Sequence, residues 1–514
     1  MSDLIQHLAG RTLILLSNRE PYEHVSAEDG EVRVRRPPGG LVSALDPTMR
    51  RTHGVWVAWG SGSADRAAAD EHGRLLVPPE DPAYTLHRVW LDEGDVEGYY
   101  LGFANSALWP LCHMLLQHYQ FREEHWERYA TVNARFADAV AEEIGRAERE
   151  PVVWVQDYHF ALVAQLVRER LAGRRAFIHQ FWHIPFPPPD ILRLLPTTVC
   201  EAVVRGMLGN DLLEFHTERY AMNFLDCVAA FASDVVVRRE HRHAMVAGRV
   251  MHVGAFPISI DVELYERLAR SPDGARRADE LRGRYSGPTC KLGVSVDRID
   301  YTKGIPERLI ALEQLWEEHP ELRECLTFVI VATPSRSDLS SYASLEEDVV
   351  TRVARINERF GTARWTPIVL IKENVDAELL ASIYRAGDLC LVSSLQDGMN
   401  LVAKEFVACQ VDEHGVLVLS RFTGAAEEIE GAVLINPFNV DGFVAGLKQA
   451  VDMPLEERRS RMRRMRDQLH RSTIFDWLEA ILARVEELAG PPGGGSAPPV
   501  RLPPSAPGPA AGAW

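Results

Sequence analysis

The chain has 514 residues, 46% of them apolar and 25% charged, which is enough for roughly two to four globular domains with full cores. Its formal net charge of −17 argues against a surface that binds nucleic acid or anionic membranes, but it is compatible with a local basic pocket. No apolar run approaches the roughly 18 residues of a membrane span, and no signal pattern stands at the N-terminus. We therefore expect a cytoplasmic globular protein.

The cysteine pattern favours a reducing compartment. The cysteines are scattered, most of them stand within apolar runs, and no two form a CxxC pair. This pattern predicts buried thiols rather than disulfides or a zinc site. The residues concerned are Cys112, Cys200, Cys227, Cys290, Cys325, Cys390 and Cys409.

The first predicted strand, Thr12–Ser17, is a continuous apolar run that ends in a polar loop, as a buried parallel strand does. Further on, Gly39 and Gly40 precede a predicted helix start at Leu41. Paired glycines let the backbone approach a ligand closely, and a helix N-terminus behind them attracts anions. A Pro-Gly-Gly segment is also typical of a simple turn, so both interpretations stay open.

Two strand-like runs follow, Val152–Val155 and Phe177–Trp182, with a helical stretch at Ala161–Leu171 between them. Each run ends in polar residues, at 156–159 after the first and at His183 after the second. Because ligands bind beyond the carboxyl ends of strands in open parallel sheets, these residues fall where a site is expected. Taken alone, His183 is better explained as a packed, hydrogen-bonded histidine.

The second half repeats this alternation, beginning with the predicted strand Lys291–Val296. The loop after it carries Arg298 and Lys303 and ends in Gly304 before a helix. Two cations in a glycine-ended loop that opens a helix are suited to a diphosphate. A surface loop with solvated charges is the alternative, but the position of both cations at a strand-to-helix turn favours a binding site.

The segment after the predicted strand Leu389–Val392 has the features of an anion site. A glycine-containing turn leads into a helix near Leu401, where unpaired N–H groups and the positive end of the dipole would face a ligand. Glu405 lies four residues further on the same helix face and is suited to a vicinal diol such as a ribose. Asp397, in the turn, is placed to hold another hydroxyl. The alternative is a capped helix start without a ligand.

The alternation of strands and helices predicts an α/β protein with doubly wound parallel sheets, whose strands deliver polar residues to one edge. Helical patterns at 440–451, 455–469 and 474–488 end the folded part. The arginines between 458 and 466 are predicted to form a solvated helix face. From Gly490 onward the chain is rich in Pro, Gly, Ala and Ser and cannot build a core, so we expect it to be disordered.

Short motifs in a fixed order resemble a known family: SNRE, PGG, YYLGFANSALWP, QDYH, HIPFP, GNDLLEFHTERYAMNFLDC, DRIDYTKGIPERL, TPSRSD, WTP and DGMNLVAKE. The chain resembles the trehalose-6-phosphate synthases, retaining glycosyltransferases of the GT-B type with two Rossmann-like domains. The resemblance runs from about Leu13 to about Leu488. It implies an acceptor domain at 1–255, a nucleotide-sugar domain at 256–473 and a helix at 474–489 that packs back on the first domain. The tail at 490–514, which composition predicts to be disordered, lies beyond the resemblance.

The resemblance implies transfer of glucose from UDP-glucose or GDP-glucose to glucose 6-phosphate, with retention by front-face transfer and with no cofactor or metal. Gly39 and Gly40 would form a mobile loop against the donor diphosphate. The other residues implied in donor binding are Arg298, Lys303, Leu401 and Val402 for the diphosphate, Glu405 for the ribose, and His183 and Asp397 for the glucose. Those implied in acceptor binding are Arg19, Tyr100, Trp109 and Arg336 for the phosphate, and Asp157 for sugar hydroxyls. The implied catalytic residues are His183, Arg298, Lys303 and Asp397.

The implied partners are the nucleotide sugar and the sugar phosphate, with a trehalose-6-phosphate phosphatase as the next enzyme of the pathway. The sequence does not decide between a monomer and a homo-oligomer. Two positions depart from the family pattern, because Gln156 stands where the family often has His and Gln396 where it often has Arg. The second departure removes a positive charge near the leaving group and leaves the nucleotide preference open.

Two alternatives concern the function. The opening SNREPYEH is also similar to the glucosylglycerol-phosphate synthases, so glycerol 3-phosphate is an alternative acceptor. A non-catalytic sugar-phosphate sensor on the same fold is the other alternative. A sensor need not keep the intact set Arg298, Lys303, Asp397 and Glu405.

Overall fold

The computed structural model describes residues 6–8, 10–27, 29–36, 40–285, 290–336 and 339–491. Over these residues the chain forms two large sheets and one short hairpin, with helices packed around them. The predicted α/β class with doubly wound parallel sheets is confirmed.

Strands are numbered in chain order. Those of the first half are β1 (Arg11–Arg19), β2 (Glu23–Ser26), β3 (Val32–Arg35), β4 (Val55–Trp59), β5 (Arg74–Val77), β6 (Tyr84–Val89), β7 (Glu150–Gln156), β8 (Phe177–Phe181), β9 (Leu212–Phe215), β10 (Val236–Arg238), β11 (His243–Val246) and β12 (Arg249–Ala255). The first sheet has the order β10-β11-β12-β9-β8-β7-β1-β4-β6-β5, and β2 pairs with β3. Its strands from β12 to β6 are parallel, and the chain winds outward to both sides from the pair β1 and β7.

The second sheet is wholly parallel over its described strands. They are β13 (Lys291–Arg298), β14 (Leu326–Thr333), β15 (Ile368–Ile371), β16 (Leu389–Val392), β17 (Val416–Ser420) and β18 (Val433–Ile435). The spatial order is β15-β14-β13-β16-β17-β18, so the winding direction reverses between β13 and β16. Such a reversal opens a crevice beyond the carboxyl ends of the two strands.

Helices cover the sheet faces, and those predicted from apolar periodicity are confirmed with ends that differ by no more than two residues. The α-helices are Gly40–Thr52, Asp65–Ala68, Glu93–Asp95, Trp109–Cys112, Glu123–Arg146, Val163–Arg170, Pro189–Leu192, Thr197–Met207, Glu218–Phe231, Val262–Arg270, Pro272–Tyr285, Ile305–Glu318, Ser340–Phe360, Ala377–Ala386, Leu401–Cys409, Ala425–Glu428, Val440–Asp452, Leu455–His470 and Ile474–Ala489. Short 3₁₀ turns occur at Leu116–His118, Tyr158–Phe160, Arg239–His241, Tyr301–Lys303 and Pro320–Leu322. Within the described residues, no helix is both long enough and apolar enough to span a membrane.

One helical segment, Val96–Leu108, is a π-helix rather than an α-helix. Its wider turn is held by side chains as well as backbone, since Asn105 donates to the Tyr100 carbonyl and Ser106 to the Leu101 carbonyl, both at 2.7 Å. The N–H of Trp109 then donates to the carbonyl of Ala104, five residues back. Extended π-helical turns are rare and are frequent at functional sites. The segment carries Tyr100 and ends at Leu108, directly before Trp109.

The final helix, Ile474–Ala489, packs against the first sheet. The ring of Trp477 lies 6.0 Å from that of Trp154 and 5.1 Å from that of Phe181, and its Nε1 donates to the Phe256 carbonyl at 3.1 Å. The chain therefore crosses back from the second sheet to strands β7 and β8, below the polar residues that follow them.

Two sequence expectations need correction. The arginines of helix Leu455–His470 are not all solvated: Arg458 is buried and donates to the carbonyls of Met453 and Val451, and Arg466 donates to that of Ala408. A guanidinium group has five donors, and here they satisfy helix-end carbonyls that would otherwise lack partners. Cys325 is exposed and Cys290 is only partly buried, because each of them precedes its strand. The predicted disordered tail lies, apart from Gly490 and Pro491, outside the described residues.

Candidate active site

The polar residues predicted at strand ends converge on two crevices that face each other. In the second sheet, Arg298 ends β13 and Asp397 follows β16, the two strands at the reversal point. In the first sheet, Arg19 ends β1 and Asp157 follows β7, again at the reversal point. Both crevices therefore lie where open α/β sheets bind ligands.

On the side of the second sheet, Lys303 forms an ion pair with Asp397, with 2.6 Å between Nζ and Oδ2. Ser394 and Asn400 donate to the same oxygen at 3.2 and 3.1 Å. Burial alone would raise the pKa of Asp397, but Lys303 and Asn400 lower it to about 2. This carboxylate is therefore ionised and a weak base at neutral pH.

The helix Leu401–Cys409 begins beside this pair, as predicted. Asn400 caps it with a left-handed φ of 84°, and its Oδ1 accepts from the N–H of Ala403 at 3.1 Å. The N–H groups of Leu401 and Val402 have no partner within the helix, because they belong to its first turn. They are available to a bound anion together with the positive end of the helix dipole.

Glu405 lies one turn into this helix and is half-buried. The hydroxyl of Tyr384 donates to its Oε2 at 2.8 Å, and Tyr265 lies beside the same carboxylate. Burial raises the pKa of Glu405 above its usual value, and the two tyrosines oppose that shift. The predicted diol-binding carboxylate is thus held in place by two phenols that the sequence did not indicate.

The side chain of Arg298 has different hydrogen-bond partners from that of Lys303. Its side chain is 44% exposed, its Nη1 donates to Ser335 at 3.1 Å, and its guanidinium lies 5.9 Å from the centre of the Trp109 ring. Both predicted diphosphate cations lie near the carboxylate of Asp300. Their hydrogen-bond partners differ, because Lys303 pairs with Asp397 and Arg298 donates to Ser335.

On the side of the first sheet, the phenol of Tyr100 lies beside the two arginines Arg19 and Arg336. Burial alone would raise the pKa of Tyr100, but these two cations lower it. The guanidinium of Arg336 lies 4.3 Å from the centre of the Trp109 ring, and its Nη2 reaches the hydroxyl of Tyr158 at 3.4 Å. The structure thus brings together all four residues predicted to bind a phosphate, drawn from both halves of the chain.

Several buried polar atoms of this cluster have no hydrogen-bond partner among the described residues. They are Nε1 of Trp109, Nδ1 of His159 and Nε of Arg336. Burial, with Arg336 and Arg19 nearby, lowers the pKa of His159 well below its usual value, so its ring is neutral. Unsatisfied buried polar atoms are costly and few in native proteins, and together they indicate a place for a polar ligand.

Asp157 and His183 follow neighbouring strands of the first sheet, β7 and β8. Asp157 has a strained, left-handed φ of 73°, and its Oδ1 accepts from the N–H groups of Tyr158 and His183 at 2.9 and 3.2 Å. Burial raises the pKa of Asp157 to about 7. A Cβ atom on Gly398 would lie 2.3 Å from the His183 carbonyl, so the turn that holds Asp397 abuts His183.

The two departures from the family pattern occupy defined places. Gln156 Oε1 lies 2.8 Å from Nε2 of His183, and burial, with His216 and His179 nearby, lowers the pKa of His183 well below its usual value. Gln396 is buried and donates to the hydroxyl of Tyr220 at 3.0 Å. Each glutamine therefore supports a neutral hydrogen-bonded contact rather than a charge.

Gly39 lies outside the described residues, and Gly40 is the first residue of helix Gly40–Thr52, one position before the predicted start. Across the described part of the chain, no group of three or more His, Cys, Asp or Glu residues is arranged to hold a metal.

Sequence reasoning assigned no role to several residues of the cluster. Tyr158 and His159 belong to the polar residues 156–159 that the strand-end rule placed at a site, but no function was predicted for them. Asp300 stands inside the motif DRIDYTKG, between the two cations that drew attention. Tyr342, whose hydroxyl accepts from Arg336 at 2.6 Å, lies in helix Ser340–Phe360 and has no sequence signal.

Comparisons with known proteins agree with this geometry. The model of glycosyltransferase family 20 matches residues 11–487. The trehalose-6-phosphate synthase of Mycolicibacterium vanbaalenii is 39% identical over 479 residues, which are 92% of this chain and 95% of that protein. The trehalose-6-phosphate synthase from E. coli, solved with UDP-2-fluoro glucose, has a TM-score of 0.81 at 32% identity and covers 94% of this chain and 100% of its own. An α,α-trehalose-phosphate synthase (UDP-forming) from Burkholderia xenovorans, in complex with glucose-6-phosphate, has a TM-score of 0.80 at 32% identity and covers 93% and 100%.

Proposed function

The chain belongs to glycosyltransferase family 20, and on that premise we propose that it transfers glucose from UDP-glucose to glucose 6-phosphate, giving α,α-trehalose 6-phosphate. The observation that carries the proposal is the pair of facing crevices, one with the ion pair Lys303–Asp397 at a helix N-terminus, the other with Arg336 over the ring of Trp109 and Arg19 beside Tyr100. UDP is favoured over GDP because the similar solved structures are UDP-forming or hold a UDP-glucose analogue.

On the donor side, the departing diphosphate needs its charge neutralised. Arg298, Lys303 and the first-turn N–H groups of Leu401 and Val402 are proposed to do this without a metal. Glu405, already fixed by two tyrosines, binds the ribose hydroxyls. Each charge-assisted contact of this kind contributes roughly 1.5–3 kcal/mol.

On the acceptor side, the phosphate of glucose 6-phosphate is proposed to lie between Arg19 and Arg336, beside Tyr100 and the Nε1 of Trp109. The phosphate supplies acceptors for the donors that lack partners there. Asp157 binds sugar hydroxyls, and its raised pKa keeps it able to accept and donate near neutral pH. Because the two arginines come from opposite halves, a bound phosphate favours a closed cleft.

For the chemical step, we propose retention by front-face transfer. The bond between the anomeric carbon and the diphosphate oxygen breaks while the acceptor hydroxyl oxygen bonds to the same face of that carbon. The acceptor proton passes to the departing phosphate oxygen, so UDP leaves and no protein base is consumed. Neutral His183 and ionised Asp397 hold the transferred glucose, a role that fits their low pKa values. Such preorganised groups stabilise the charge that develops in the transition state.

A crossed assay tests the proposal. UDP-glucose and GDP-glucose are each offered with glucose 6-phosphate and with glycerol 3-phosphate, with and without EDTA, and the product's anomeric configuration is determined by NMR. We expect the fastest reaction for UDP-glucose with glucose 6-phosphate, unaffected by EDTA, with an α,α-linked product. A faster reaction with glycerol 3-phosphate would show that this compound, and not glucose 6-phosphate, is the acceptor. Binding of glucose 6-phosphate without turnover of either donor would make the protein a sensor. A cytoplasmic location stays a prediction.

A further inference from the structure

Asp300 begins the turn that carries Lys303, but it is not among the residues to which a substrate is assigned. Its side chain is fully buried. Oδ1 accepts hydrogen bonds from the backbone N–H and the hydroxyl of Thr302, at 3.0 and 2.9 Å. One oxygen of the carboxylate therefore caps the turn Tyr301–Lys303 and fixes its conformation.

The other oxygen faces two guanidinium groups that the proposed function gives to different substrates. Oδ2 lies 3.2 Å from Nη1 of Arg336 and 3.7 Å from Nη2 of Arg298. The hydroxyl of Tyr342 donates to the same oxygen at 3.4 Å and accepts from Arg336 at 2.6 Å. Both guanidinium groups also lie over the ring of Trp109. Two cations thus share one carboxylate oxygen and one indole.

Burial alone would raise the pKa of Asp300, but Arg336, Arg298 and Lys303 lower it, so the carboxylate is ionised. Without this anion, the buried guanidinium of Arg336 and the partly exposed guanidinium of Arg298 would repel each other. We infer that Asp300 is a positioning residue. Its carboxylate fixes the positions of the donor-side Arg298 and the acceptor-side Arg336 relative to each other. This inference rests on the proposed function.

The direction in which one substitution changes substrate binding distinguishes a positioning role from a plain charge effect. A carboxylate near two phosphate sites repels anions, so if Asp300 acted only through its charge, Asp300→Asn would tighten the binding of both substrates. If Asp300 positions the arginines, the same change lets them move apart and weakens both. The asparagine keeps an acceptor for Thr302, so the turn retains its cap.

The experiment uses the full chain. For Asp300→Asn we expect the Kd of UDP and the KM of glucose 6-phosphate each to rise roughly tenfold, since a charge-assisted contact is worth about that much or more. We also expect kcat to fall and the preference for glucose 6-phosphate over free glucose to shrink. The control Asp348→Asn, which removes a carboxylate paired with Arg352 in helix Ser340–Phe360, should change none of these values.

Unchanged or tighter binding of both ligands, with the preference intact, would overturn the inference. If the native chain does not use glucose 6-phosphate at all, the proposed function has failed instead. If Asp300→Asn does not fold, Tyr342→Phe is the second test variant. It removes only the hydroxyl that bonds to Arg336 and Asp300, so the fold should be retained. We expect it to raise the KM of glucose 6-phosphate about two- to fivefold and to leave the Kd of UDP unchanged. An unchanged KM in that variant contradicts the inference.

Discussion

The two sides of the cleft differ in how their polar groups are satisfied. On the second-sheet side, Lys303 is already paired with Asp397 and Glu405 already accepts from Tyr384. On the first-sheet side, Nε1 of Trp109 and Nδ1 of His159 are buried without a hydrogen-bond partner among the described residues. A bound acceptor therefore completes hydrogen bonding on its side, whereas a bound donor must share groups that already have partners.

This difference predicts how each side responds to substitution. Removing one member of a buried ion pair leaves its partner charged and unpaired, which is strongly unfavourable. Removing an acceptor-side cation leaves a weaker binding site and a less selective one. Donor-side changes should therefore act mainly on kcat, and acceptor-side changes mainly on the choice of acceptor.

The largest effect is expected for Lys303→Ala. It removes a cation from the leaving group and leaves the buried carboxylate of Asp397 without its partner. We expect kcat to fall about 10²-fold or more, as for the loss of a preorganised charge stabiliser, with the fold retained. Lys372→Ala is the matched control, because this lysine also follows a strand of the second sheet but pairs with Glu346 at the surface. Near-normal turnover of Lys303→Ala would contradict the donor-side assignment.

Next in size is Arg336→Ala, which should erode the preference for glucose 6-phosphate over glucose by about tenfold to a few hundredfold. Free glucose should already be a very poor acceptor for the native chain, since phosphate binding contributes to closure. The Kd of UDP should stay nearly unchanged, as measured by calorimetry. Arg352→Ala is the control, because this half-buried arginine of the neighbouring helix pairs with Asp348. Lost UDP binding with an intact phosphate preference would place Arg336 in the donor site.

A smaller effect concerns pH and Asp157, whose pKa burial raises to about 7. The folded state then holds a proton that the unfolded state has lost above about pH 4, so the free energy of unfolding falls as pH rises from about 4 to about 7. Asp157→Asn removes this dependence. As pH rises from 5 to 8, the free energy of unfolding of the variant should increase by roughly 2 kcal/mol relative to that of the native chain. This is less than the whole pKa shift of Asp157 would give, because the side chain is partly exposed. Chemical denaturation at both pH values measures it, and a parallel pH dependence of the two proteins would refute it.

The donor side could be predicted from the sequence because its groups stand in short continuous segments. Arg298 and Lys303 lie five residues apart, and Asp397, Leu401 and Glu405 lie within nine residues. A strand, a turn and a helix start suffice to bring such groups together, and apolar runs with glycines indicate all three.

The acceptor side could not be predicted in the same way, since its residues come from distant segments that meet through tertiary packing. Tyr100 and Trp109 are set by a π-helix, whose spacing of five residues differs from the α-helical period used to interpret the sequence. Tyr342 is brought beside Arg336 by a helix whose pattern indicates only a buried face. For this side, the family resemblance supplied residues that periodicity alone did not.

The smallest effect is expected for deletion of the residues after Gly490. Both sides of the cleft, and the helix Ile474–Ala489 beneath the first sheet, lie before that point, and the carbonyl of Gly490 itself accepts from Arg11. A segment of Pro, Gly, Ala and Ser buries little apolar surface, so its loss should leave both Tm and kcat/KM unchanged. Trp477→Ala provides the contrast, because this ring packs against Trp154 and Phe181, and its removal should cost about 3–5 kcal/mol of unfolding free energy. Thermal unfolding and the standard assay decide: a drop of several degrees in the truncated chain would show that the tail docks on the folded part.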